Sequence, residues 1–402
     1  MTEHLTIGFL PLVDACLPIL AHEHGFAEEE GLALTFQRDV SWATVLDRLL
    51  YGDSDAAHLI APLAIATTLG RGRPARPLAT PFVLGLNGNA VTMSAELAAR
   101  VAEPGRLADP VALGAALAAE ARARKAAGRK LRFGVVHRYS SHNYMLRYWL
   151  AASGIQPDED VEIATVSPPF VADAMAAGEI DGACVGEPWN SAAVARGVGV
   201  IVLATAQIWR RGVEKVLAFR APVLEARRPA AEALIRAMRK AAAHFVDPAH
   251  WEGNSAILAR REYVDADPRL ILGAISDRLT LVQGAEPVHY PDFMFQHREA
   301  ANFPWVSQAE WLYTQLVRWD HLPFSPEDAE AAARVFRPDI YRSALAGTGD
   351  LLPGASSKVE GSLAKPTAVT AQQGHITLAN NAFFDGRSFD PDDLEGYLAS
   401  FA

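Results

Sequence analysis

Thr80 to Met93 reads TPFVLGLNGNAVTM, an apolar extended run broken by Gly85, Gly88 and the asparagines Asn87 and Asn89. Glycine weakens a strand interior and Asn-Gly favours a turn, so the run reads as a passage from one folded unit into another, not as one straight strand. A second passage of this kind is KVLAFR, Lys215 to Arg220. The ~120 residues between the two suit one inserted α/β unit.

The same rhythm holds on both sides of the first passage. Upstream lie TIGFL, LALTFQR and the apolar run His58 to Ile60, separated by helical stretches at His22 to Glu30 and Ser41 to Tyr51. Downstream lie LRFGVV, VEIATV, GACVG and VGVIVLA, with helical stretches at Ser141 to Ser153 and Pro169 to Gly178. Alternation of this type predicts open parallel sheets, which bind ligands at the carboxyl ends of their strands. The expected architecture is α/β and two-lobed: residues 1–88 begin the first lobe, 89–214 form the second, and 215–402 return to the first and add a helical C-terminal extension. Leu113 to Arg129 is expected as an exposed helix. Ala346 to Gln373, rich in Gly, Ser and Pro, is expected as a long surface connection.

Bulk composition narrows the function. The 402 residues are 50% hydrophobic and 21% charged, enough apolar surface for two cores. A formal net charge of −10 disfavours nonspecific binding to nucleic acid or an anionic membrane. The only cysteines, Cys16 and Cys184, have no metal or disulfide spacing, so neither a metal nor a cofactor is expected. Met1 to Leu5 contains no Lys or Arg, and the LVDAC box ending at Cys16 carries Asp14. A cytoplasmic location without membrane insertion is therefore expected.

Seven motifs carry a resemblance that runs the length of the chain: IGFLPLVD (Ile7 to Asp14), SWATVLDRLLYGDSDAAHL (Ser41 to Leu59), LNGNAVT (Leu86 to Thr92), SSHNYMLRYWLAASGI (Ser140 to Ile155), VGEPWN (Val185 to Asn190), VEKVLAFR (Val213 to Arg220) and FFDGRSFDPDDLEGYLASF (Phe383 to Phe401). In these the chain resembles the nitrate- and bicarbonate-binding solute receptors of ABC transporters, and among them cytoplasmic nitrate/nitrite sensors of the NasS type. The resemblance implies a periplasmic-binding-protein type II fold with its ligand in the cleft between lobes. It also implies a partner, a NasT-like ANTAR response regulator that binds RNA as an antiterminator. An ABC-transporter substrate-binding protein for nitrate, nitrite or another small oxyanion is the alternative.

Nitrate is a planar monoanion with acceptor oxygens only, so its site needs converging donors and a nearby cation. By the resemblance, Lys215 occupies the position where nitrate receptors carry Lys and bicarbonate receptors carry an acid that holds calcium. His142 stands behind the helix-capping Ser140 and Ser141, where free N–H groups and the helix dipole favour an anion. Trp42, after Ser41 at another helix start, has an indole N–H that can only donate. Asn89 offers amide donors beside the backbone N–H of Gly88, although related nitrate receptors carry Gln there. Ser141, Glu187 and Trp189 are expected around these groups, with Glu187 orienting a donor or bonding across the cleft.

Catalysis is not expected. Gly52-Asp53-Ser54, Gly85-Leu86-Asn87 and Asp247-Pro248-Ala249-His250 echo the blocks of GDS-type esterases. Ser54 follows an amphipathic helix (Leu46 to Tyr51), however, and not the buried strand that would present a nucleophile.

Overall fold

The computed structural model describes residues 2–401; Met1, where the N-terminal reading begins, and Ala402 lie outside them. Two sheets organise the chain. The first has the strand order Met294–Phe295, Leu78–Asn87, Val213–Arg220, Ala56–Ile60, Glu3–Phe9, Leu32–Arg38. The second runs Val161–Thr165, Leu131–Val135, Gly182–Gly186, Asn89–Ser94, Gly199–Ala204.

Both sheets are mixed, where the alternation predicted parallel ones. Glu3–Phe9 pairs in parallel with both neighbours, but Val213–Arg220 runs antiparallel to Ala56–Ile60 and Leu78–Asn87. In the second sheet Asn89–Ser94 is antiparallel to both its neighbours. These antiparallel strands are the two by which the chain enters one sheet from the other, Asn89–Ser94 and Val213–Arg220, and not members of a βαβ unit.

The first passage lies where the asparagines and glycine stand. Asn87 (φ 61°) ends a strand of the first sheet, Gly88 (φ 86°) turns, and Asn89 opens a strand of the second. A side chain at Gly88 would be strained at that φ and would press on Met294 at 3.3 Å. KVLAFR, in contrast, is no connection but part of a buried strand of the first sheet. The return passage precedes it, between Ala204 and Val213. The two passages are tied together, since Asn87 N–H donates to the Gly212 carbonyl (2.9 Å) and Gly212 N–H to Asn87 Oδ1 (3.2 Å).

Helices cover the sheets. Cys16–Glu23 and Arg228–Val246 pack together on the first sheet through Leu17, Leu20, Leu234 and Met238. The expected helix His22 to Glu30 is two short ones, Cys16–Glu23 and Phe26–Glu29, because Gly25 turns left-handed between them (φ 75°). The helix Pro110–Ala126 is not wholly exposed: Leu113, Leu117 and Ala121 bury one face of it.

The C-terminal extension is packed, not draped. Phe383 stacks on Trp209 (4.9 Å between ring centres) and Trp311 (5.6 Å), while Tyr148 Oη donates to Asp385 (2.9 Å). Ala346 to Gln373 departs from a surface connection in the same way. Its Glu360 is fully buried and accepts from Ser307 Oγ (2.8 Å), and its last residues begin a hairpin, Thr367–Thr370 with His375–Leu378. Composition hides both because single buried anchors in a Gly/Ser/Pro-rich stretch leave no periodicity. Among the described residues no helix is long and apolar enough to cross a membrane.

Candidate ligand-binding site

Two helix N-termini and two strand ends meet between the sheets. Ser41 caps the helix Trp42–Tyr51 by accepting from Thr44 N–H (3.2 Å), and Ser140 caps Ser141–Ala152 by accepting from Asn143 N–H (3.1 Å). Trp42 and His142 therefore stand in the first turns of their helices, where unpaired N–H groups and the dipole favour negative charge. Lys215 comes from the first sheet, opposite Ile60 and Gly85, and Asn89 from the second, opposite Gly186.

These four side chains are nearly or wholly inaccessible: Lys215 and His142 at 0%, Trp42 and Asn89 at 1%. Lys215 Nζ lies 2.6 Å from Asp14 Oδ2 and donates to Glu214 Oε2. It also sits 5.6 Å from the centre of the Trp42 ring, which packs against His58 at 5.1 Å. Asn89 joins the group through Gly186. A Cβ built there would lie 3.1 Å from Asn89 Oδ1 and 3.5 Å from Asp14 Oδ2, so glycine allows both side chains to approach.

Asp14, His58 and Glu214 belong to this cluster and were not expected as site residues from the sequence. Asp14 Oδ1 is 2.8 Å from His58 Nε2. An ionised carboxylate only accepts, so His58 carries its proton on Nε2. Glu214 and Lys215 are consecutive in a strand and would ordinarily face opposite sides. Register shifts on either side of Lys215 break that alternation, and both side chains enter the cluster.

Burial works to raise the Asp14 carboxyl, but Lys215 and His58 outweigh it and hold it well below the usual range. Burial likewise opposes the charge on Lys215, which Asp14 and Glu214 nevertheless push above an ordinary lysine. His142 is driven down to about 4 by burial, in spite of Glu214, so the imidazole is neutral at pH 7. For Glu214, burial is outweighed by His142 and Lys215, which hold it below its usual value.

The donors face a common need. Trp42 Nε1, Asn89 Nδ2 and both ring nitrogens of His142 make no hydrogen bond within the protein, and neither does the acceptor Asn89 Oδ1. Each such buried group costs about 1–3 kcal/mol unless something pairs with it. Trp42 Nε1, Asn89 Nδ2 and His142 Nε2 beside one ammonium are what an acceptor-only anion would satisfy.

The remaining expected residues divide. Ser141 Oγ donates to Glu214 Oε1, so it supports a carboxylate. The Gly88 N–H is not free for a ligand as expected, because it donates to the Phe293 carbonyl at 2.7 Å. That acceptor comes from a segment far along the chain. Glu187 and Trp189 belong to a seam between the lobes: Val13 N–H donates to the Glu187 carbonyl and Trp189 Nε1 to the Pro11 carbonyl, both at 2.9 Å. Burial pushes the Glu187 carboxyl up to about 7, and its Oε1 makes no hydrogen bond.

Other features do not compete with this cluster. A cavity of about 570 Å³ between Ser191–Ala195 and the segment Asp267–Pro287 includes none of the donors. Of the esterase blocks, Ser54 Oγ is buried without a hydrogen bond, and His250 stacks on His244 at 3.7 Å. Among the described residues no group of His, Cys, Asp and Glu could hold a metal ion.

Known proteins share this arrangement of lobes. The NMT1-like family matches residues 1–260. The nitrate/nitrite binding protein NrtA of Synechococcus elongatus is 30% identical over 405 residues, covering 98% of this chain and 85% of that protein. The nitrate import ATP-binding protein NrtC of Synechocystis sp. is 30% identical over 403 residues, and this chain spans about half of it (55%). The crystal structure of the periplasmic nitrate-binding protein NrtA from Synechocystis PCC 6803 superposes with a TM-score of 0.85 at 26% identity, covering 100% of this chain and 99% of that one. The fold is thus that of two-lobed solute-binding proteins, and this chain belongs to the NMT1-like family.

Proposed function

We propose that the chain binds nitrate or nitrite between its lobes, with Lys215 as the cation and Trp42 Nε1, Asn89 Nδ2 and His142 Nε2 as donors. The observation that carries this reading is the set of buried, unpaired donors around a buried ammonium. Nitrate is also what the NrtA relatives are named for. A ligand touching Trp42 and Lys215 from the first lobe and Asn89 and His142 from the second would favour the closed form by differential affinity.

The residue ranges 1–88, 89–214 and 215–402 are proposed as the moving parts, joined at the two passages. We further propose a cytoplasmic sensor in which the ligand-free form holds a NasT-like ANTAR response regulator and closure releases it. Under this reading the anion and the partner weaken each other's binding by the same factor. The NasS resemblance supports it. The periplasmic NrtA structure supports the alternative, a substrate-binding protein of an ABC transporter, equally well.

Calorimetric titration with nitrate, nitrite and bicarbonate tests the binding claim. The expected result is saturable binding of a nitrogen oxyanion, with bicarbonate weaker. Failure of both nitrogen oxyanions to bind would overturn it. Fractionation of cells making the native protein separates sensor from receptor.

A further inference from the structure

Glu214 is out of place in a pocket for an anion. The residue is 3% exposed; its Oε1 lies 3.2 Å from His142 Nδ1, close but not hydrogen-bonded to it, and accepts from Ser141 Oγ, while Oε2 contacts Lys215. Every charged or titratable group facing it can be named. Asp14 comes from the short 3-10 helix Val13–Ala15, His58 from the strand Ala56–Ile60, His142 from its helix, and Lys215 from Glu214's own strand. The Cys184 thiol faces it from the second sheet, and burial pushes that thiol up so that it stays protonated. The Cys16 thiol, beside Asp14, is raised by burial as well.

With both imidazoles neutral, two carboxylates stand against one ammonium. The cluster then carries a net negative charge, and a monoanion added to it would be a third negative charge in a buried, low-dielectric space. Hydrogen-bond chemistry gives the same constraint. A neutral imidazole has one N–H only. If His142 directs that N–H to the Glu214 carboxylate, Nε2 is a lone pair turned toward the ligand's oxygens. If the N–H is on Nε2, the Nδ1 lone pair faces the carboxylate. Only the protonated ring donates on both sides.

We infer that Glu214 makes this a proton-coupled anion site: nitrate enters together with one proton, held by the His142–Glu214 pair, so that the occupied cluster donates on every side. This rests on the nitrate reading above and adds to it which residue sets the coupling. No bond is made or broken beyond the transfer of one solvent proton to the pair, and the proton belongs to the two groups jointly. Because His142 sits near 4 without ligand, the proton is absent at pH 7 and must be taken up on binding. The bound state holds more protons than the free state, so affinity rises as pH falls. Glu214 acts through His142 and is a positioning residue.

Calorimetry of the full chain with sodium nitrate, in buffers of differing ionisation heat, reads the coupling directly. Expected at neutral pH is uptake of about one proton per nitrate, with Kd rising about tenfold per pH unit between about pH 6 and 8. Glu214→Gln, which removes the charge and keeps the shape, is expected to reduce the uptake to near zero and flatten the profile. His142→Gln should flatten it as well, since an amide donates without a proton. Nitrate binding by the unaltered protein with no proton exchange and a flat pH profile would overturn this inference alone. Absence of nitrate binding at every pH would overturn the parent reading with it.

Discussion

Lys215→Ala is expected to abolish measurable nitrate binding and to destabilise the fold by about 3–5 kcal/mol, the range for breaking a buried ion pair. The ammonium is wholly inaccessible and holds Asp14 and Glu214, one on each side. Without it two carboxylates share a dry cluster with no cation between them, and one must take up a proton. The two losses are separable. Asp14→Asn combined with Lys215→Met removes an acid together with the cation, and should recover much of the stability while leaving nitrate unbound. Chemical denaturation and calorimetry on both variants check this. Full nitrate affinity in Lys215→Ala would remove the lysine from the site.

The second large effect lies outside the cleft. Phe383→Ala is expected to cost about 3–5 kcal/mol, the usual range for emptying a buried aromatic position. Its ring stacks against Trp209 and Trp311 and lies 5.6 Å from Tyr148. Tyr148 is on the same helix as His142 and is held by Asp385, two residues beyond Phe383. Loosening the C-terminal segment should therefore loosen the helix that presents His142, and nitrate binding should weaken along with stability. Urea denaturation measures the first and calorimetry the second. An unchanged denaturation midpoint would mean that the segment lies on the lobes without stabilising them.

Much of the fold was legible because the signals were local. Ser41 and Ser140 cap helices within a residue of where short polar residues precede periodic ones, and Asn87-Gly88-Asn89 marks the passage by the φ values those residues tolerate. Strand direction was not legible. Whether Val213–Arg220 runs parallel or antiparallel depends on how the chain comes back from the second sheet, and no residue within it records that.

The candidate site divides along the same line. Trp42, Asn89, His142 and Lys215 sit in motifs that single them out, and the structure gathers them. Asp14 and His58 look like ordinary residues of a loop and an apolar strand, and meet only because those elements flank one another. Glu214 was hidden by alternation, since a residue beside Lys215 in a regular strand faces away from it, and the bulge that turns it inward is a property of pairing. Gly88 shows the converse. Its N–H looked available, but Phe293 supplies the acceptor that uses it.

The structure of the protein crystallised with nitrate tests the central claim most directly. Expected is a planar anion within hydrogen-bonding distance of Trp42 Nε1, Asn89 Nδ2, His142 Nε2 and Lys215 Nζ, with Glu214 still against His142 Nδ1. Nitrate bound elsewhere, with those four groups still unpaired, would contradict it.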